Sequence, residues 1–164
     1  MPFSVESYKQ EVFDHIRSTI LPTDKILDVG PGAGKYGKSL NDYYIDAVEI
    51  YEPYITTYNL KEIYENMYCD NILNFDWAFY DYIILGDILE HIVLEDAQKL
   101  ISDISNNYVK CLVAVPYMFE QGEWYGNIHE THLQPDLTPD NMIIRYPELK
   151  HLIGNEFYGY YINY

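Results

Sequence analysis

The residues best suited to chemistry lie in one glycine-rich stretch, residues 25–40 (KILDVGPGAGKYGKSL). Its apolar start predicts a buried strand, which leads into Gly30, Gly32, Gly34 and Gly37. Glycines let the backbone turn sharply and approach a ligand closely, and the N–H groups that open the next helix then face that ligand. The stretch therefore predicts a cradle for a nucleotide-like molecule.

Three patterns fit the same glycines. Residues 32–39 match the phosphate-loop pattern G-x-x-x-x-G-K-[ST]. The dinucleotide pattern G-x-G-x-x-G begins at Gly32. A third pattern, D-x-G-x-G-x-G, begins at Asp28. The glycines alone do not decide among them.

The neighbouring residues favour the third pattern. The strand turns at Gly30, two residues before the phosphate-loop pattern starts, and Asp28 would repel a triphosphate. About twenty residues on, a second predicted strand (residues 45–50) contains Glu49 near its end. A carboxylate at that position is suited to accept hydrogen bonds from two ribose hydroxyls.

With these residues the chain resembles the class I (Rossmann-like) S-adenosylmethionine-dependent methyltransferases over nearly its whole length. The resemblance implies S-adenosyl-L-methionine as cofactor, S-adenosyl-L-homocysteine as product, and methyl transfer by in-line displacement. We expect the acceptor to be an O or N atom of a small molecule, mainly because the chain is acidic and lacks nucleic-acid methylase motifs. The resemblance also implies cofactor contacts from Asp28, Gly30, Pro31, Gly32, Gly34, Tyr36, Glu49, Ile50, Asp70, Asn71, Gly86 and Asp87.

Two other functions stay open. A phosphate-loop nucleotide hydrolase would use Lys38, Ser39 and Asp87, the last because it follows an apolar run as a magnesium-binding aspartate does. A catalytically silent methyltransferase-like subunit would keep the cradle and act as a binding or regulatory partner.

Predicted helices and strands alternate along the chain, which indicates an α/β fold. We expect one methyltransferase-like domain (residues 1–164) with three α/β/α layers. Its doubly wound, mostly parallel sheet would have seven strands and end in an antiparallel hairpin. Residues 1–22 would form an N-terminal helix that covers the cofactor site. Other predicted helices span residues 35–44, 52–65 and 94–108, and other predicted strands span residues 65–70, 81–87, 110–116 and the hairpin 151–164.

The substrate side is predicted from the segment after the fourth strand and from a long loop, residues 117–138. Loops of that length at the carboxyl edge of a sheet are usually functional, and Thr138 followed by proline predicts a helix start after it. We expect catalytic roles for His129, His132 and Asp87, and substrate contacts from Glu90, His91, Tyr117, Trp124 and Tyr125.

A metal site would need His129 and His132 with Asp136 or Glu123 as a third ligand. Neither a CxxC nor an HExxH pattern supports this set, so we predict no metal.

Charge and cysteine content restrict the partners and the compartment. Ten basic residues against 26 acidic ones give a net charge of −16, so we do not expect a nucleic-acid substrate. We also expect no membrane association, and a homodimer is compatible with the sequence. Cys69 and Cys111 each fall in a predicted strand, where we expect buried free thiols in a cytoplasmic protein.

Overall fold

A single seven-stranded sheet organises the computed structural model, which describes residues 7–164. The strand order is β3-β2-β1-β4-β5-β7-β6. The strands are β1 (Lys25–Val29), β2 (Tyr44–Glu49), β3 (Met67–Cys69), β4 (Tyr82–Gly86), β5 (Lys110–Pro116), β6 (Lys150–Gly154) and β7 (Tyr158–Ile162). Strands β1 to β5 pair in parallel, whereas β7 runs antiparallel to both β5 and β6. The predicted sheet and its C-terminal hairpin are confirmed.

Within residues 7–164, five α-helices cover the two faces of this sheet. They are α1 (Lys9–Thr19), α2 (Lys35–Ser39), α3 (Glu52–Thr57), α4 (Leu94–Asn106) and α5 (Pro139–Arg145). Short 3-10 turns lie at Leu60–Glu62, Leu89–His91 and Ile128–Glu130. Among residues 7–164, no helix has the length and hydropathy needed to cross a bilayer.

Strand alternation divides the core into two clusters, one on each face. Ile26 of β1 packs in the cluster that contains Val12 and Ile16 of α1. Leu27, the next residue, packs in the cluster that contains Leu100 and Ile101 of α4. Successive side chains of a strand point to opposite faces, so a central strand buried on both sides reads as a continuous apolar run. The three predicted layers follow from this.

The predicted helices are longer than the observed ones. Helix α2 ends at Ser39, and α3 gives way at Asn59 (φ 52°) to the 3-10 turn. Threonine and asparagine compete poorly for helical positions, which accounts for the early end of α3 in the segment TTYN. Helix α1 begins at Lys9, after Tyr8 in a left-handed conformation (φ 62°). The start of that predicted helix, within residues 1–6, lies outside the described residues.

Cys69 corrects one prediction about the thiols. Cys111 is buried in β5, whereas Cys69 is exposed. Strand β3 has three residues and pairs only with β2, so it is an edge strand and has no neighbour on its outer side. A cysteine there keeps its contact with solvent.

The chain reverses direction across the sheet between β1 and β4. Strands β2 and β3 extend from β1 to one side, and β5 extends from β4 to the other. Open α/β sheets bind ligands in the crevice beyond the carboxyl ends of the strands at such a switch point. The crevice beyond β1, β2 and β4 is therefore the place to look for a site.

Candidate active site

A cavity of about 350 Å³ lies at this crevice, within the usual volume range of small-molecule sites. Every residue predicted to contact cofactor lines it except Gly34. The predicted residues that line it are Asp28, Gly30, Pro31, Gly32, Tyr36, Glu49, Ile50, Asp70, Asn71, Gly86 and Asp87.

Asp28 is held at the floor of the cavity. Its side chain is 1% exposed, and its Oδ2 accepts a hydrogen bond from the Tyr64 hydroxyl at 2.6 Å. Burial raises the pKa of Asp28 to about 7, although the Tyr64 hydrogen bond and the charge of Lys9 act to lower it. The carboxylate is thus partly desolvated before any ligand arrives.

Glu49 provides a second buried carboxylate on the neighbouring strand. Its Oε1 accepts a hydrogen bond from the Tyr51 backbone N–H at 2.8 Å. Burial raises the pKa of Glu49 to about 7, against the lowering effect of that hydrogen bond. Because Val29 pairs with Val48 and side chains alternate, Asp28 and Glu49 point to the same face of the sheet.

Two glycines of the loop are required for different reasons. Gly30 has φ 58°, and a Cβ there would lie 2.4 Å from the Cδ1 of Ile88. Gly34 has φ 76°, and a Cβ there would lie 2.7 Å from the Cδ1 of Ile63. Gly34 therefore allows α2 to start and pack against the segment after α3, and it does not line the cavity.

Asp70 and Asn71 line the cavity and also shape the turn after β3. The Asp70 Oδ1 accepts a hydrogen bond from the Asn71 N–H at 2.7 Å, and the Asn71 Oδ1 accepts one from the Leu73 N–H at 3.0 Å. These side chains act as turn formers at the edge of the cavity.

Asp87 closes the cavity at the end of β4. It adopts a left-handed conformation (φ 58°), and its Oδ1 accepts a hydrogen bond from the Tyr158 hydroxyl at 2.6 Å. Burial raises the pKa of Asp87, and the Tyr158 hydrogen bond acts to lower it. A non-glycine residue with positive φ is uncommon, and Asp87 adopts this conformation where it borders the cavity.

The two loop histidines with predicted catalytic roles lie in different places. His129 lines the cavity, whereas His132 does not. His132 instead contacts His91, with ring centroids 4.7 Å apart. They are three residues apart, but the 3-10 turn ends at Glu130, so the spacing is not helical beyond it.

The predicted substrate residues also divide. His91 lines the cavity, and Glu90 is buried (1% exposed) without lining it. Tyr117 lies in the core, with its hydroxyl bonded to that of Tyr161. Trp124 and Tyr125 are exposed and contact each other away from the cavity. Tyr117, Trp124 and Tyr125 thus lie outside the cavity lining. An aromatic loop residue can pack inward or turn outward, and its type does not decide which.

Among the cavity residues that sequence reasoning missed are Tyr54, Asn127 and Glu130. The Tyr54 hydroxyl donates to the Glu130 Oε1 at 2.9 Å, which joins α3 to the long loop across the cavity. Tyr54 lies early in α3, directly after the strand that ends at Glu49, and Glu130 stands beside His129. These positions in the sequence could have indicated that Tyr54 and Glu130 line the cavity.

The phosphate-loop lysine is not at the cavity. The Lys38 Nζ donates to the Ala33 carbonyl oxygen at 2.7 Å, and neither Lys38 nor Ser39 lines the cavity. Lys35 is the lysine that does. In a phosphate loop this lysine binds the phosphates of the ligand. Here the Lys38 ammonium instead binds the backbone of its own loop.

Solved structures share this fold, although no protein-family model and no curated protein sequence matches the chain. An S-adenosylmethionine-dependent methyltransferase from Clostridium acetobutylicum aligns with a TM-score of 0.69 at 13% identity, over 96% of this chain and 91% of that one. One from Methanosarcina mazei aligns with a TM-score of 0.66 at 12% identity, over 90% and 94%. Human N-acetylserotonin methyltransferase, in complex with S-adenosylmethionine, aligns with a TM-score of 0.66 at 14% identity, over 95% and 51%. The chain therefore has the class I methyltransferase fold.

Proposed function

We propose that this protein is an S-adenosylmethionine-dependent methyltransferase that acts on an O or N atom of a small molecule. One observation carries the proposal: Asp28 and Glu49 are buried carboxylates on neighbouring strands that face one cavity at the switch point of the sheet. Two carboxylates so placed fit a ligand with a cationic amino-acid end and a ribose with two hydroxyls. They would repel a triphosphate.

The glycine loop supports the same ligand. Gly30 and Gly32 line the cavity with positive φ, so backbone rather than side chain borders the ligand there. Asp70 and Asn71, at the end of β3, would meet the base beyond the ribose. S-adenosyl-L-homocysteine would occupy the same place after transfer.

Methyl transfer from a sulfonium proceeds by in-line displacement, so positioning supplies much of the rate. A general base is required only when the acceptor must first lose a proton. His129 and Asp87 are the cavity residues of the predicted catalytic set that would serve. The net charge of −16 favours a small acceptor over a nucleic acid.

The test is calorimetric titration of the protein with S-adenosyl-L-homocysteine, first on the wild type and then on Glu49→Ala. If Glu49 accepts hydrogen bonds from the ribose, the variant should lose about 1.5–3 kcal/mol of binding free energy. Glu52→Ala is the matched control, because Glu52 is exposed on α3 three residues further on and does not line the cavity. It should bind as the wild type does.

Three results would redirect the assignment. Equal affinity of Glu49→Ala and wild type would remove Glu49 from the site. Binding of ATP without binding of S-adenosyl-L-homocysteine would favour a nucleotide hydrolase. Tight cofactor binding without turnover on broad acceptor panels, together with a stoichiometric protein partner, would favour a regulatory subunit.

A further inference from the structure

A buried carboxylate behind the cavity lacks any hydrogen-bond partner. The Glu90 side chain is 1% exposed, and neither of its carboxylate oxygens has a partner among residues 7–164. Buried polar groups in native proteins are almost always paired, and a buried unpaired carboxylate is costly. Its charge therefore has to be neutralised by a proton or by a bound cation.

The imidazole rings of His91 and His132 lie close to the Glu90 carboxylate. Glu90, His91 and His132 each place one ligand atom so that all three atoms lie within 4.8 Å of one another. The rings of His91 and His132 meet edge to face, with their planes at 78°. The 3-10 turn Leu89–His91 supplies two of the groups and the long loop supplies the third.

The loop is fixed against that turn by backbone hydrogen bonds. The N–H groups of Leu133 and Gln134 donate to the Glu90 carbonyl oxygen at 2.7 and 3.1 Å. The amide of Gln134 also donates to the Leu89 carbonyl oxygen at 2.8 Å. The three side chains thus belong to a preformed arrangement rather than to a loop that meets the turn by chance.

The hydrogen bonds of the two rings determine which nitrogen is available. The His91 Nδ1 lies 3.2 Å from the Thr131 carbonyl oxygen, and the His132 Nδ1 lies 2.7 Å from the Phe119 carbonyl oxygen. A carbonyl oxygen only accepts, so each Nδ1 carries the proton and each neutral ring keeps its lone pair on Nε2. Metal-binding histidines are oriented in this way, with the other ring nitrogen donating to a carbonyl or carboxylate.

We propose that Glu90, His91 and His132 bind a divalent transition-metal ion, with Zn²⁺ as the best match. One carboxylate and two imidazoles form the kind of mixed oxygen and nitrogen set that suits such ions better than Mg²⁺. A cation would account for the unpaired Glu90 carboxylate and for its position beside two imidazoles. Three protein ligands also leave coordination positions open for water or for an oxygen of a substrate.

The position of His91 connects this site to the cavity, since His91 also lines it. A catalytic role for the ion rests on the proposed methyltransferase function. An acceptor hydroxyl bound to the ion would lose its proton to water more readily, because a bound divalent cation lowers the pKa of the oxygen it holds. That oxygen would form the new C–O bond while the C–S bond of the sulfonium breaks and its electron pair stays on sulfur. The site therefore predicts hydroxyl rather than amine acceptors.

The test uses untagged full-length protein treated with a chelator and then titrated calorimetrically with Zn²⁺. The absorption spectrum of the Co²⁺-loaded protein provides a second readout. We expect one ion per chain, and an affinity lower by at least about tenfold in Glu90→Gln and in His132→Ala. His129→Ala is the matched control, because His129 lies three residues from His132 and outside the cluster, and it should bind Zn²⁺ as the wild type does.

Circular dichroism of each variant separates loss of a ligand from loss of the fold, and Glu90→Gln keeps the shape of the side chain. Absence of stoichiometric Zn²⁺ binding by folded wild type would overturn the proposal, as would equal losses in His129→Ala and His132→Ala. Titration of the metal-free protein with S-adenosyl-L-homocysteine keeps the two proposals apart. Cofactor binding without Zn²⁺ binding removes only the metal site, and the reverse removes only the methyltransferase. Methylation of amines by the metal-free protein would refute the predicted acceptor class.

Discussion

The Tyr64 hydroxyl lies 2.6 Å from the Asp28 Oδ2, to which it donates a hydrogen bond, and 3.3 Å from the Gly37 backbone nitrogen, from which it accepts one. One buried side chain thus joins the segment after α3 to β1 and to α2. The carboxylate that we place under the cofactor is therefore oriented by a residue that does not itself line the cavity.

Tyr64→Phe should destabilise the protein and weaken cofactor binding. The variant leaves the buried Asp28 without its donor, which costs about 1–3 kcal/mol of unfolding free energy. It should also raise the pKa of Asp28 further, because the hydrogen bond favours the ionised form. Urea unfolding measures the first effect, and Tyr108→Phe is the control, since Tyr108 is 94% exposed. Equal midpoints for the two variants would contradict this role.

Asp28→Asn should stabilise the ligand-free protein at pH 8 and hardly at all at pH 4. Burial raises the pKa of Asp28 from 3.8 to about 7, so the folded state binds the proton more tightly than the unfolded state. The wild type is then most stable below the unfolded pKa and loses stability as pH rises towards about 7, on the order of 1.4 kcal/mol per pKa unit. Asparagine carries no charge to desolvate, and its Oδ1 can still accept from Tyr64.

The comparison requires unfolding free energies of both proteins at pH 4, 6 and 8. Lys9, Glu49 and Tyr64 act on Asp28 and are the same in both, so their effects largely cancel in the difference. Cofactor affinity should fall in the same variant. A difference in stability that does not change with pH would show that folding does not raise the pKa of Asp28.

Gly30→Ala should cost roughly 1–2 kcal/mol, the penalty of a left-handed conformation for a residue with a Cβ. Its φ is 58°, and the new methyl group would also displace Ile88, whose Cδ1 would be 2.4 Å away. Gly122→Ala is the control, because nothing lies within 4 Å of the position that a Cβ would take there and its φ is not positive. Chemical unfolding of the two variants measures the effect, and a similar small change in both would argue against strain at Gly30.

The two cysteines should react at very different rates with a thiol reagent. Cys69 is exposed on the edge strand, whereas Cys111 is buried in β5, where burial raises the pKa of its thiol to about 12. We expect one thiol per chain to be modified in the native protein and the second only after unfolding. Cys69→Ser should remove the fast reaction. A fast phase that remains in Cys69→Ser would place Cys111 within reach of solvent.

Much of the fold and of the cofactor side of the site could be predicted from local sequence. Apolar runs mark the parallel strands in the sequence. Distinctive residues lie near the carboxyl ends of two of them, namely Asp28 before the first glycine and Gly86 before Asp87. Because parallel strands bring their carboxyl ends to one edge, the residues at those ends must meet at the switch point. The pattern within each segment therefore indicated the strand-end residues that line the cavity, but not Tyr54, Asn127 or Glu130.

The places of the side chains in the long loop were decided only by tertiary structure. His132 is only three residues from His129 in the sequence, yet its ring lies against that of His91, which is 41 residues earlier in the chain. Two tyrosines of the loop also differ, since Tyr117 packs in the core whereas Tyr125 is exposed to solvent. A loop without regular hydrogen bonds has no periodicity, so nothing in its own sequence fixes which way a side chain points. Only the elements that pack against it do, and these come from distant parts of the chain.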